Sequence, residues 1–508
     1  ISIGHNRLSI IDTSDLAKQP FMDNDNRYIL SYNGEIFNYI EIRKELEVKG
    51  YIFKTKSDTE VLLYSYIEWG EECLFKFNGF WAFIIYDKFK KKIFISRDRF
   101  GVKPLYYYFD NKNFVISSEL KAFKSIKNLI NLQMNEHELM KLRRGNINEN
   151  TILNKIYLLL PGSNIHYDFK NLRLQKWWET ANHLENIRQD EVIEKFEHLF
   201  KSSCSIRLRS DVPLTSSLSG GLDSSSIVAE INQNYNYIEK HTSFFVNYNY
   251  KFSEKNYVNA LQRKYNLKIN ELEFNESKLT FENLLNSTLS QEMIGDDAIG
   301  PWLVYKSINS NGYKVSVDGH GPDELMGGYD EYRHLNFFRN IYKKLRGLNN
   351  LFIKKEVDNQ YFNIAESSDT SREDKRFHIP REIKGLNKNL YYDFHYGSLP
   401  LILEKFDKIS MAHGVESREP FLDWRLVTLL FSLPASNKFN NEESKIILKK
   451  VMKDKLPNII LDRKLKKGFN PDNDSFNQKF KQIINSIIFS NEFKNDGLFD
   501  YKRAIYDI

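Results

Sequence analysis

The string Leu218-Ser219-Gly220-Gly221-Leu222-Asp223-Ser224-Ser225 constrains this chain more than any other stretch of it. Leu214, Ser216 and Leu218 approach it on one face of a strand, and Ser224 to Ile231 leave it as a helix. Two adjacent glycines let a backbone come close to a ligand. Serine hydroxyls and the unpaired N–H groups of a helix start then cradle an anion. Asp223 is placed to hold a Mg2+ that bridges phosphates. A serine- and glycine-rich turn that merely caps a helix is the plain alternative. The length of the run, set between strand and helix, favours the phosphate site.

The rest of the chain agrees with an α/β nucleotide domain but adds another in front of it. With 508 residues the sequence exceeds one hydrophobic core, and 41% hydrophobic residues supply enough for two. Over 1–165, short alternating runs at Tyr28–Tyr32, Phe80–Tyr86, Lys92–Ser96 and Asn113–Ser117 predict a β-rich α+β domain with a helix near Ser57–Trp69. Leu160-Pro161-Gly162 closes it. A linker over 166–190 carries Trp177 and Trp178, expected at the domain junction. From 191 to 508, helical patterns such as Val192–Ser203 alternate with short strands at Ser243–Val246 and Lys314–Val317, which predicts a parallel α/β sheet. Residues 335–400 read as a helical elaboration.

Composition excludes several classes. The formal net charge is +6 with both signs interspersed, so nothing marks a nucleic-acid binder. No apolar run approaches the ~18–20 residues of a membrane helix and no signal pattern opens the chain, so a cytoplasmic protein is expected. Cys73 and Cys204 stand far from each other and from other ligand types, and are expected as buried or incidental thiols.

A second acidic loop follows the predicted strand at 314–317: Asp318-Gly319-His320-Gly321-Pro322-Asp323-Glu324, running into Gly327-Gly328-Tyr329. A strand ending in such a loop suits a metal-phosphate edge; a tight turn with a solvated acidic pair is the alternative. Further on, Asp407 to Asp423 reads as a helix ending near Gly414 and then a proline-led turn, whose Asp, Glu and Arg residues are expected to pair structurally. Lys464-Leu465-Lys466-Lys467-Gly468-Phe469-Asn470-Pro471 is a basic loop.

The first of these strings resembles the pyrophosphate loop of the N-type ATP pyrophosphatases, and together they are similar to the asparagine synthetases. The resemblance implies that Leu218, Ser219, Gly220, Gly221, Asp223, Ser224, Val246, Asp318 and Gly319 line ATP. Asp223 and Asp323 would be ligands of Mg2+, and Lys466 would stabilise charge on the transferring phosphate. His320 departs from the family, in which Glu or Gln is common there. An imidazole titrating at about 6.5 is either a base or a neutral positioning group.

The first domain carries its own ordered set: Arg7, Asn33-Gly34-Glu35, Ser57-Asp58-Thr59-Glu60 and Arg97-Asp98-Arg99-Phe100-Gly101-Val102-Lys103-Pro104. Taken singly these are a hairpin Asn-Gly, a capping box and a turn. Together they resemble the glutaminase domain of class II amidotransferases, a four-layer αββα fold of the N-terminal-nucleophile type. Asn33 and Gly34 would then form an oxyanion hole, and Arg7, Glu35 and Asp58 would hold glutamine. The leading cysteine of that family is expected ahead of Arg7 and is not in this sequence, which reads as truncated at its N-terminus and unable, as given, to hydrolyse glutamine.

The function implied is amidation of aspartate to asparagine with ATP, through an aspartyl-adenylate, using ammonia from glutamine in the first domain. A homodimer is implied by the family. Amidation of another carboxylate, such as a sugar acid, is the nearest alternative, because 294–301 lacks the basic residues expected around aspartate. A β-lactam-synthetase-like cyclisation is more distant. A non-catalytic protein that binds nucleotide or a partner is the rival from another class.

Overall fold

A computed structural model describes residues 1–110, 112–135, 149–234, 241–248, 254–274, 279–292, 298–329, 332, 378–463, 485–486 and 489–491. Period-two alternation builds the first half of the chain into β1 (Phe21–Met22), β2 (Tyr28–Ile36), β3 (Gly79–Asp87), β4 (Lys92–Arg97), β5 (Tyr106–Phe109), β6 (Phe114–Ser117), β7 (Ile156–Leu158), β8 (Ser163–Tyr167) and β9 (Leu172–Lys176). These form an antiparallel six-stranded sheet, β1-β2-β3-β4-β8-β9, and a three-stranded sheet, β6-β5-β7. Each strand sends alternate side chains to opposite faces, and the layers follow from that. Leu30, Phe83 and Phe94 face Leu46, Leu62 and Leu63 on the helices Tyr39–Val48 and Asp58–Trp69. Ile95 and Ile165 face Leu105 and Tyr107 at the second sheet. On the far side of that sheet Tyr106 and Tyr108 pack on Leu120 and Phe123. Helix, sheet, sheet and helical turn make the four layers expected.

Three local expectations need correction. Asn33-Gly34 is no hairpin turn; it lies inside β2, opposite Ala82 and Trp81. The glycine is needed for another reason. At φ +147 a Cβ on Gly34 would stand 2.0 Å from the Phe80 carbonyl oxygen. Ser57 does cap its helix by accepting from the Thr59 N–H, but Glu60 does not complete a capping box. It turns back instead and accepts from the Lys54 and Thr55 N–H groups and the Thr55 hydroxyl. The supposed linker at 166–190 contributes β9, paired with β8. That strand is an edge with mostly exposed side chains, so burial leaves little trace in its sequence.

In the second half, β10 (Leu214–Ser217), β11 (Thr242–Asn247), β12 (Lys268–Glu273), β13 (Val315–Val317) and β14 (Glu416–Arg418) form a sheet in the order β12-β11-β10-β13-β14. Every pair in it is parallel. The chain starts at the central β10, builds outward to β12, then returns to the other side with β13. Winding reverses between β10 and β13, and the crevice at their carboxyl ends is where such sheets bind ligands. Of 335–400, the part up to 377 lies outside the described residues, and the remainder holds the helix Asn387–His395 and the start of Ser398–Met411.

The two halves share a buried seam. Trp178 is buried beside Trp424, and the Arg99 guanidinium lies 4.5 Å from the Trp178 ring and 5.2 Å from that of Trp424. Asn78 donates to Asp423, which also receives Arg207 and Arg425. Glu292 accepts the N–H groups of Leu120 and Lys121. The charged residues in 407–423 are paired: Asp407 with Lys103, Arg418 with Glu416 and Asp423 with Arg207 and Arg425. Both cysteines are buried free thiols. Among the described residues no helix is long and apolar enough to cross a membrane.

Candidate active sites in the two domains

The nucleotide-type site is assembled from the carboxyl ends of β10 and β13. After β10 the chain turns through Gly220, at φ +65, where a Cβ would stand 2.9 Å from that of Tyr257. Only glycine takes both the dihedral and the approach. The Leu218 N–H is tied to the Phe244 carbonyl, and the loop closes on itself. Ser224 Oγ accepts from the Ser219 N–H at 3.2 Å and lies 3.1 Å from Ser219 Oγ. The helix Leu222–Asn234 starts at once, so its first-turn N–H groups open onto the crevice. Gly319 sits against that helix start, with a Cβ position 3.0 Å from the Ser224 nitrogen. Two motifs almost a hundred residues apart in the chain thus meet at one helix end.

Asp223 and Asp323 converge on a residue that the sequence did not single out. Lys445 Nζ lies 2.5 Å from Asp223 Oδ2 and 2.6 Å from Asp323 Oδ1, all three groups being buried. Lys445 stands at φ +55 ahead of the helix Ile446–Met452, and that left-handed turn aims it inward. The only trace of it in the sequence is a lysine preceding an apolar helical run, which is commonplace. Two carboxylates held to one cation also fit a divalent ion, with phosphate and water oxygens completing its coordination as is usual for Mg2+.

Other expected nucleotide residues are placed differently. The Asp318 carboxylate is fully committed: it accepts from the Ser217 N–H and from the hydroxyls of Ser316, Tyr305 and Ser417. It ties β10, β13 and β14 together, leaving Gly319 as the crevice-lining member of the pair. Val246 packs into an apolar cluster with Phe244, Trp302 and Tyr305. His320 lies over Phe406, ring centroids 4.1 Å apart. Lys466 and its neighbours lie outside the described residues, as do 294–297 of the supposed acceptor region.

The first domain holds a cavity of about 740 Å3 whose lining includes Arg7, Asn33, Gly34, Glu35 and Asp58, all five residues expected of a glutamine site. It is completed from the second domain by Asp407, Lys408, Met411 and Glu416. Arg7 is fixed by donating to the carbonyls of Ile11 and Asp12, both at 2.7 Å. Asp58 opens its helix and accepts from the Tyr32 hydroxyl at 2.9 Å and the Ile36 N–H at 3.0 Å. Burial raises its pKa to about 6 against those bonds. Glu35 is pushed well above the carboxylate range by burial and by Asp58, opposed by Arg418 and Lys103. Two acids that resist ionising together are ready to receive a cationic group.

Comparison with known proteins accords with the two-domain arrangement. A family profile described as "Glutamine amidotransferase domain" matches residues 1–178, and one described as "Asparagine synthase" matches residues 195–505. The glutamine-hydrolysing asparagine synthetase 3 of Bacillus subtilis is 27% identical over 490 residues, covering 91% of this chain and 79% of its own. Asparagine synthetase 1 of the same organism is 29% identical over 517 residues, covering 92% and 79%. A relative in Methanocaldococcus jannaschii is 32% identical over 396 residues, covering 70% and 75%. With a parallel sheet bearing the paired-aspartate crevice behind a layered amidotransferase domain, the chain belongs to the asparagine synthase family.

Proposed function

We propose that this protein amidates aspartate to asparagine at the expense of ATP, taking ammonia as the nitrogen donor, with the first domain a binding site for glutamine, from which the full-length parent would draw that ammonia. The observation that carries the reading is the convergence of Asp223 and Asp323, from two different strand ends, on one cation position beside the Gly220-Gly221 loop. A divalent cation at that position suits the phosphates of ATP. Mg2+ held there would neutralise the charge that builds on them as pyrophosphate leaves. The first-turn N–H groups of Leu222–Asn234 orient the chain of phosphates. Lys445, and by the family resemblance Lys466, would add positive charge as the acceptor carboxylate attacks and an acyl adenylate forms.

In the first domain Arg7 would take the glutamine α-carboxylate, and Glu35 with Asp58 its α-ammonium. Asn33 and Gly34 would donate to the oxyanion of the amide under attack. The cavity reaches residues of the second domain, which supports internal delivery of ammonia. His320 is assigned a positioning role through its contact with Phe406.

Pyrophosphate and AMP release from the full chain with ATP and Mg2+ tests the reading. Release is expected with aspartate plus ammonium and is absent without aspartate. A folded, ATP-binding chain that stays silent with aspartate but turns over with another carboxylate would overturn the acceptor and leave the adenylating chemistry standing.

A further inference from the structure

The glutamine cavity takes one of its charges from the neighbouring domain. Arg418 on β14 is wholly buried and reaches across the seam. Its Nε donates to Glu416 at 2.8 Å, and its Nη1 to the carbonyls of Arg207 and Arg209 at 2.9 and 2.6 Å. Its Nη2 has no hydrogen-bond partner and stands 3.4 Å from Glu35 Oε2. Glu35, 4% exposed, keeps its other oxygen, Oε1, without a hydrogen-bond partner while lining the cavity. A buried carboxylate oxygen with no donor is a costly arrangement unless something else supplies one.

We propose that Arg418 is a positioning residue for glutamine, a guanidinium lent by the second domain that aims Glu35 and works against its burial, favouring the ionised form, so that Glu35 and Asp58 accept the α-ammonium. This rests on the glutamine reading of the cavity. The charge around Glu35 is set by few groups. Asp58 faces it from the start of its helix, Glu416 from β14, Tyr32 from its own strand and Tyr39 from the helix Tyr39–Val48. Lys103, from the loop before β5, and Arg418 are the cations that oppose burial and the two carboxylates. Without the Arg418 charge, Glu35 holds its proton to higher pH, and a proton there competes with the α-ammonium. Without the Glu416 charge the balance tips the other way.

Calorimetric titration of the full chain with L-glutamine between pH 6.5 and 8.5 separates this from a purely structural role. Arg418→Met is expected to weaken binding about tenfold at pH 6.5, with the deficit closing toward pH 8.5, since one pKa unit is a tenfold change in ionised fraction. Arg418→Lys keeps the charge and stays within about threefold of the parent. Glu416→Gln moves the profile oppositely and holds affinity to lower pH. If Arg418→Met does not fold, as a melting curve would reveal, Glu416→Gln carries the test and an unshifted profile overturns the proposal. An Arg418→Met chain that binds like the parent at every pH, or is weakened by one constant factor that Arg418→Lys does not relieve, also overturns it. A parent chain that binds no glutamine overturns the glutamine reading itself, and the proposal with it.

Discussion

Lys103 and Asp407, 304 positions apart in the chain, form a 2.8 Å ion pair in the buried seam between the domains. Burial works against the Lys103 charge, but Asp407 and Glu416 outweigh it and hold the ammonium above its ordinary range. Removing one partner of such a pair strands the other. Lys103→Met is therefore expected to cost about 3–5 kcal/mol in urea unfolding, and Lys103→Met with Asp407→Leu much less. Equal losses for the single and the double variant would show that the pair is not coupled.

Lys445 is expected to matter as much as the two aspartates it joins. Asp223→Asn, Asp323→Asn and Lys445→Met should each lower pyrophosphate release by about a hundredfold or more, the usual scale for losing an electrostatic stabiliser at a reacting phosphate. Unchanged circular dichroism would locate the loss in the site. A chelator should abolish release and excess Mg2+ restore it. Full turnover in Lys445→Met would reduce that lysine to a filler between two acids.

Gly34→Ala probes backbone geometry instead of charge. The added methyl meets the Phe80 carbonyl at 2.0 Å inside the β2–β3 pairing, at a dihedral alanine does not favour. A loss of about 4 kcal/mol or more is expected, in the tail reserved for strain. A soluble, normally stable Gly34→Ala chain would mean that β2 can shift its register.

Glu419 predicts a slope of stability against pH. Burial raises its pKa to about 8, opposed by the Ser417 hydroxyl that bonds one of its oxygens. Between about 4.5 and 8 the folded chain therefore binds a proton that the unfolded chain has released. Stability falls as pH rises through that window, by up to about 1.4 kcal/mol per unit. Glu419→Gln should flatten the slope in denaturant titrations. Asp423 works in the opposite sense at the acid end. Its pKa is lowered to about 2, where bonds and charge from Arg425 and Arg207 overcome burial. It stabilises the fold above about 4, and that contribution is lost as pH falls toward 2.

Much of this was legible in the sequence wherever a motif carried its own geometry. Gly220-Gly221 between a strand and a helix, and Asp323 in a glycine-rich loop, announce their places because few backbones accept them. The five residues expected of a glutamine site could be named because their order matches a family, and one cavity is lined by all five. Taken singly, Asn33-Gly34 reads as a hairpin, because the dipeptide signals φ > 0 without saying whether a turn or a neighbouring strand demands it. Lys445 and the reach of Arg418 were invisible, since both depend on which segments fold against each other. Asp318 looked like a site residue yet serves three strands, a role written only in the sheet order.

The short strand β14 makes each domain a part of the other's charge balance. Its Ser417 is stitched to the crevice side through Asp318, while Glu416 lines the neighbouring cavity and Arg418 reaches Glu35 at its wall. A lineage that exchanged its front domain for a foreign one would leave that guanidinium facing the wrong acid, and the newcomer's acid without a counter-charge. A chimaera with a foreign front domain is therefore expected to lose this counter-charge on both sides of the seam.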